Sequence, residues 1–279
     1  MFGREYSDNL EILIESFGQM SDRYKKSPTG SETPILKFLQ KIYIKLLGVP
    51  EIGFQLRNLY FKKILKKINA NTARKILDAG SGIGAYSFWL SNHFPSSRVE
   101  GWEIDKFKLS FSRELAKKMK LQNVKFFYKD IAKYKKINNY DLIINIDVLE
   151  HIKDYRGTIK NFSRYLKKGG YLYIHTPQVN QKRYLKSLKS WKHEDHAREG
   201  FEPQKLMQEL KDNGFKIISF TNTFGFFGSI AWELNHLILL KRSFIILGLA
   251  YPFLYVLSIF DLLFKNRKGL GIAVLAKKN

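Results

Sequence analysis

The sequence predicts an α/β protein, a mostly parallel sheet of seven strands with helices on both faces and the last strand antiparallel. Three observations carry that expectation. From Ala73 onward, short β-branched and aromatic runs alternate with helical stretches, the pattern of right-handed crossovers between parallel strands. The first run, KILDA, ends beside an acid and enters a glycine turn, GSGIG, which opens an apolar helical stretch. The last two runs, FKIISFTN and LGIAVLAKK, are separated by a long apolar insertion rather than a crossover helix.

In chain order, residues 1–72 read as a helical extension and 73–279 as the main domain. The extension turns at SPTGSETP (Ser27 to Pro34). PILKFLQKIYIKLLG then reads as an amphipathic helix, with Lys37, Lys41 and Lys45 in one stripe and Ile35, Leu36, Phe38, Leu39, Ile42, Leu46 and Leu47 elsewhere. A second helix carries Arg57, Lys62, Lys63, Lys66 and Lys67. Strands are predicted at Lys75–Asp78, Arg98–Glu103, Val124–Tyr128, Tyr140–Ile146, Gly170–His175 and Phe215–Asn222, and from Leu270 onward. Helices are predicted at Ala85–His93, Lys108–Lys120 and Tyr155–Leu166, with PQKLMQELKDNG as another, stopped by Gly214.

Composition sets bounds on function. The chain has 279 residues and no cysteine, so disulfides, thiolate nucleophiles and zinc–sulfur sites are excluded. Its net charge of +23 predicts attraction to an anionic surface or substrate, although a lysine-rich coding bias produces the same number. The first residues, MFGREYSDNLEILIE, lack a basic–apolar–small cleavage pattern, which points to a cytoplasmic protein.

The glycine turn is where backbone N–H groups and a helix N-terminus would face a ligand. Alone it leaves that ligand open, since Gly80, Gly82 and Ala85 also fit a dinucleotide site. Three neighbours narrow it. Asp78, at the strand's carboxyl end, suits a cationic amino group and would repel a pyrophosphate. Glu103, ending VEGWEID, is placed for a ribose diol. Asp130, in YKDI, can accept from an adenine amino group while Ile131 packs on the ring. Together they describe S-adenosylmethionine. No Tyr-x-x-x-Lys pair occurs, which removes one common dehydrogenase chemistry.

LDAGSGIG, VEGWEID, YKDI, YDLIINIDVLEHI and LKKGGYLYIHTP, in that order, resemble the class I S-adenosylmethionine-dependent methyltransferases, Rossmann-like enzymes, and within them the ubiquinone-type O-methyltransferase group. The resemblance covers about residues 73 to 222 and the final strand. It implies that Asp78, Gly80, Ser81, Gly82 and Gly84 line the methionine half, with Glu103 and Ile104 at the ribose. Asp130 and Ile131 would bracket the adenine, and Asn145 would close the pocket. Ser81 stands where the group often has cysteine, a change that a backbone role tolerates.

Transfer from a sulfonium needs alignment, and needs a base only if the acceptor must lose a proton. DVLEHI offers Asp147, Glu150 and His151. Similar acid-x-x-Glu-His motifs in ubiquinone-type and small-RNA 2′-O-methyltransferases hold a divalent ion, so magnesium or manganese is a reading to weigh, though not the favoured one. HEDHAREGF offers His193 and His196, from a segment that in relatives lids the acceptor. His151, His193 and His196 are the candidate bases, with His175 and Tyr173 secondary.

The insertion, about 224–268, contains a run long enough to cross a bilayer. Asp261, Pro252 and the need to return to the final strand disfavour a single crossing. Either an interfacial hairpin on anionic lipid or a helical lid or dimer contact fits. Both place the acceptor among hydrophobic or lipid-linked small molecules, methylated at oxygen. The alternatives are an RNA methyltransferase, supported by the charge and by basic–aromatic stretches, and a non-catalytic binding protein that has kept the fold.

Overall fold

The computed structural model describes residues 34–68, 73–134, 139–188, 196–241 and 243–279. The predicted turn at Ser27 lies outside them, as does His193. Helices α1 (Pro34–Leu47) and α2 (Ile52–Leu65) precede the sheet. The core alternates β1 (Lys75–Ala79), α3 (Ala85–His93), β2 (Arg98–Glu103), α4 (Lys106–Lys118), β3 (Val124–Tyr128), β4 (Tyr140–Ile146), α5 (Tyr155–Tyr165) and β5 (Leu166–Pro177). Then come α6 (Pro203–Asp212), β6 (Phe215–Thr223), α7 (Phe226–Leu240), α8 (Phe244–Phe260) and β7 (Gly271–Lys278).

The strand order is β3-β2-β1-β4-β5-β7-β6, and β7 runs antiparallel to both neighbours. The expected fold is therefore present, with boundaries shifted by a few residues. The largest shift is in β5, which begins at Leu166 directly after α5 because Leu166 pairs with Tyr140 across a bulge. The order reverses between β1 and β4, so the carboxyl ends of those strands open a crevice between their diverging crossovers.

Both sheet faces are buried, which explains the nearly continuous apolar strands. On one face Ile76, Val99, Leu142 and Ile144 pack under α3, α4 and Phe61 and Ile64 of α2. On the other, Leu77, Ile143, Leu172 and Ile174 meet α5 and α6 through Ile159, Phe162, Leu206 and Leu210. The extension is thus part of the core: Phe61 is fully buried, edge-on to Tyr86, Trp89 and Tyr173.

α7 and α8 form an antiparallel hairpin tied to α2 by polar groups. Asp261, just past α8, accepts from Gly225 N and Gly228 N at the start of α7, and from the Tyr60 hydroxyl at 2.7 Å. Asn235 of α7 accepts from Ile52 N at 3.1 Å. Asp261 is thus a buried cap rather than a charge awaiting water. α8 has 17 residues, and no helix among the described residues is long and apolar enough to cross a membrane.

Candidate active site

The crevice is built by the turn after β1. Gly80 has φ +89, and a Cβ there would come within 2.5 Å of Val148, so the turn tucks against the β4 end only as glycine. Gly82 has φ +53, and a Cβ there would meet nothing within 4 Å, which leaves open space on the ligand side. Glu103 ties the turn to β2: one carboxylate oxygen accepts from Gly82 N at 2.7 Å, the other from Ile104 N and Asp105 N.

Asp78 is 2% exposed and accepts from the Ser87 hydroxyl at 2.7 Å. Burial, with the Glu103 charge adding to it, pushes its carboxyl up to about 7. A ligand ammonium is the group that would relieve this. Two more buried atoms, Ser81 Oγ and Asn145 Oδ1, have no hydrogen-bond partner among the described residues. Asn145 Nδ2 donates to Ala79 O at 2.8 Å, which fixes the amide beneath the turn. Ile131 is buried, its carbonyl held by Tyr165 and Asn161; Asp130 caps the turn after it through Ala132 N. Ile104 is exposed at the crevice edge. A buried carboxylate without a cation, orphaned polar atoms and a bare glycine face fit an amino-acid nucleoside.

Beside this crevice, at the ends of β4 and β5, lies a cavity of about 130 Å³. Its wall includes Arg57, Asp147, Glu150, His151, Arg183 and His196, together with Phe224 and Trp232. Glu150 is 1% exposed; Thr176 donates to one of its oxygens, while the other has no partner among the described residues. Burial first, then the Asp147 charge, raises its carboxyl well above the usual range. The His151 and His196 rings meet edge to face at 4.6 Å, and donor atoms of Glu150, His151 and His196 lie within 4.8 Å of one another.

Arg198 makes that meeting happen. Its guanidinium donates to Leu149 O, Ile152 O and Lys153 O and lies over Tyr155 and Phe201. The segment that begins at His196 is thereby clamped onto the short 3₁₀ turn Leu149–His151. The two motifs expected to supply a base are brought together, with His196 rather than His193 as the described partner.

Asp147 does not join Glu150 and His151. It sits at φ +51, pairs with Arg57 Nη1 at 2.7 Å and contacts His175 Nδ1 at 2.6 Å. His175 Nε2 in turn meets Thr223 Oγ1 at 3.0 Å. With both nitrogens engaged and 2% exposure, His175 is a positioning residue. Tyr173 is fully buried in the core, and its hydroxyl is driven far up by desolvation. A divalent ion could draw on Glu150, His151 and His196, a set with one carboxylate and two imidazoles; hard ions such as magnesium prefer more oxygen.

Sequence reading missed Arg57, Gln181, Arg183 and Trp232 as site residues. The sequence carries no signal for Arg57: the burial of its polar neighbours Gln55 and Asn58 is seen only in the fold.

A profile described as a methyltransferase domain matches residues 70–219. The chain belongs to this methyltransferase family. Phosphoethanolamine N-methyltransferase 1 of Arabidopsis thaliana is 28% identical over 190 residues, 66% of this chain and 37% of that protein. The ubiquinone biosynthesis O-methyltransferase of Pelagibacter ubique is 30% identical over 175 residues, 62% of this chain and 67% of that protein. The chain spans only about a third of the length of the first plant relatives it matches. Phosphoethanolamine N-methyltransferase 2 of Haemonchus contortus, solved with S-adenosylmethionine, superposes with TM-score 0.60 at 21% identity, over 79% of this chain and 52% of that one. This likeness establishes the methyltransferase fold. N- and O-methyltransferases both occur among the relatives.

Proposed function

We propose that this methyltransferase acts on a hydroxyl of a hydrophobic or lipid-linked small molecule. The observation that carries the reading is the cavity itself: paired imidazoles and a buried carboxylate share its lining with Phe224 and Trp232. S-adenosylmethionine supplies a methyl group already activated on a sulfonium. Asp78 would hold its ammonium, Glu103 its ribose, and Asp130 with Ile131 its adenine. The apolar wall excludes water and receives the acceptor's hydrocarbon. Bound in the crevice, S-adenosylmethionine would give that methyl group to the acceptor oxygen, the carbon–sulfur electron pair staying on sulfur. The hydroxyl proton passes to His151 or His196, held in place by the Arg198 clamp.

The test is to supply labelled S-adenosylmethionine to host extract split into lipid, polysaccharide and RNA fractions. Label in an apolar or lipid-linked product is the expected result. Label confined to RNA would transfer the assignment to the alternative that the +23 charge suggests. Absence of S-adenosylmethionine binding in calorimetry would make the chain a non-catalytic member of the fold.

A further inference from the structure

Two helices present a surface that the site does not use. α8 carries no charged residue between Phe244 and Phe260, yet half of it faces outward. Ile245, Ile246, Leu249, Phe253, Val256 and Phe260 are exposed, Ile245 at 80% and Phe253 at 78%. Leu247, Tyr251, Leu254 and Ser258 are buried. At helical spacing the two sets lie on opposite faces, so the outward face is as apolar as the inward one. α1 repeats the arrangement, exposing Ile35, Phe38, Leu39, Ile42 and Leu46 at positions that share one face. The two helices are clasped: the Tyr43 hydroxyl donates to Gly248 O at 2.9 Å, and Tyr251 donates to Leu47 O at 3.3 Å. An exposed apolar area of this kind marks an interaction site.

Charge identifies the occupant. In residues 34–68 and 224–270 the acids are Glu51, Glu233 and Asp261, and each is engaged internally. Glu51 caps α2, Glu233 accepts from Tyr184 N and Leu185 N, and Asp261 caps α7. Exposed cations edge the apolar face instead: Lys41 and Lys45 on α1, Lys241 before α8, and Lys265, Arg267 and Lys268 after it. A second copy would oppose these cations with its own; an anionic bilayer complements both the apolar strip and its rim.

We propose that α1 and α8 lie in the plane of an anionic membrane surface, with Ile245, Leu249, Phe253 and the α1 strip among the acyl chains. A 17-residue helix with Tyr251 buried on its other face is seated in the interface and does not span it. The surface stands on its own observations. Its use in delivering an acceptor to the cavity wall formed by Trp232 of α7 rests on the proposed function.

Co-sedimentation with vesicles of phosphatidylglycerol and phosphatidylcholine, against phosphatidylcholine alone, tests this. The full chain should bind the anionic vesicles and release at high salt. Phe253→Glu with Ile245→Glu should lower the partition by roughly tenfold or more, with S-adenosylmethionine affinity unchanged as evidence of folding. Should that variant fail to bind the cofactor, Lys41→Glu with Lys45→Glu, at exposed positions, should weaken vesicle binding several-fold. Equal indifference to both vesicle types overturns the proposal. So does a dimer in sedimentation that Phe253→Glu dissociates without any vesicle binding; the occupant would then be a second copy. Docking and chemistry separate cleanly: vesicle binding without any methylated lipid product removes the proposed acceptor and leaves the surface standing.

Discussion

The cofactor crevice and the acceptor end of the molecule are constructed on different principles. At the crevice, each residue assigned to the cofactor lies within a few positions of a strand tip, and glycines and carboxylates predominate. The acceptor end gathers side chains from distant segments: Arg57 from α2, Glu150 and His151 after β4, His196 beyond β5, Trp232 from α7. The first region is set by the tips of neighbouring strands; the second is set by how α2 and the α7–α8 hairpin dock. Perturbations that break the docking should damage the acceptor cavity and spare the crevice.

The largest effect is expected at Asp261. It is 1% exposed and joins the start of α7, Tyr60 and Asn266. Asp261→Ala leaves two amides and a buried hydroxyl without their acceptor, which should cost about 3 kcal/mol of unfolding free energy, read by urea titration. The comparison sharpens if S-adenosylmethionine affinity survives while turnover falls. Loss of cofactor binding in a folded Asp261→Ala protein would show that the two regions are one unit.

Next come the imidazoles. Whichever of His151 and His196 takes the proton, its change to Gln should lower kcat by roughly 100-fold, about 2.7 kcal/mol, with the double variant little worse. Arg198→Lys should produce a smaller loss, because lysine cannot reach three carbonyls with a planar fork. Calorimetric affinity for S-adenosylmethionine should not move in any of the three. Unchanged turnover in both histidine variants would remove proton transfer from the mechanism and favour an acceptor that needs no base.

This division also explains what could be read from the sequence. KILDAGSGIG, VEGWEID and YKDI are local signals, and the structure places their residues at the tips of the neighbouring strands β1, β2 and β3. The mostly parallel sheet followed from the alternation of strands and helices. Arg57 could not be found this way, because its partner Asp147 is reached only through the packing of α2 on the sheet. Asp261 was read as an obstacle to a membrane span, and its burial as a helix cap depends on a hairpin that no periodicity specifies. Asp147 looked like a metal ligand beside Glu150 by spacing alone. Its positive φ turns it instead toward Arg57 and His175.

A further variant tests the crevice alone. Glu103→Gln keeps an acceptor for the turn amides but removes the charge and one of the two oxygens that a ribose diol would meet. Affinity for S-adenosylmethionine should fall by about 1–2 kcal/mol, with acceptor KM unchanged. An unaltered affinity would move the ribose away from the β2 end, and with it the assignment of Asp130 and Ile131 to the adenine.

The smallest effect is one of pH, and it reports on Asp78. The free protein holds this carboxyl protonated below about 7, because burial and the neighbouring Glu103 disfavour its charge. The ligand's ammonium requires it ionised, so binding must release a proton at low pH. Affinity should therefore rise with pH, by nearly tenfold per unit well below 7, about 1.4 kcal/mol, and level off as pH approaches the raised value. Asp78→Asn should bind weakly and show no such slope, and proton uptake by buffer during calorimetry should vanish with it. A wild-type affinity that stays flat between pH 5 and 6 would mean that Asp78 is already ionised in the free crevice. The buried carboxylate would then need a cation from within the protein, and its role as the ammonium site would fall.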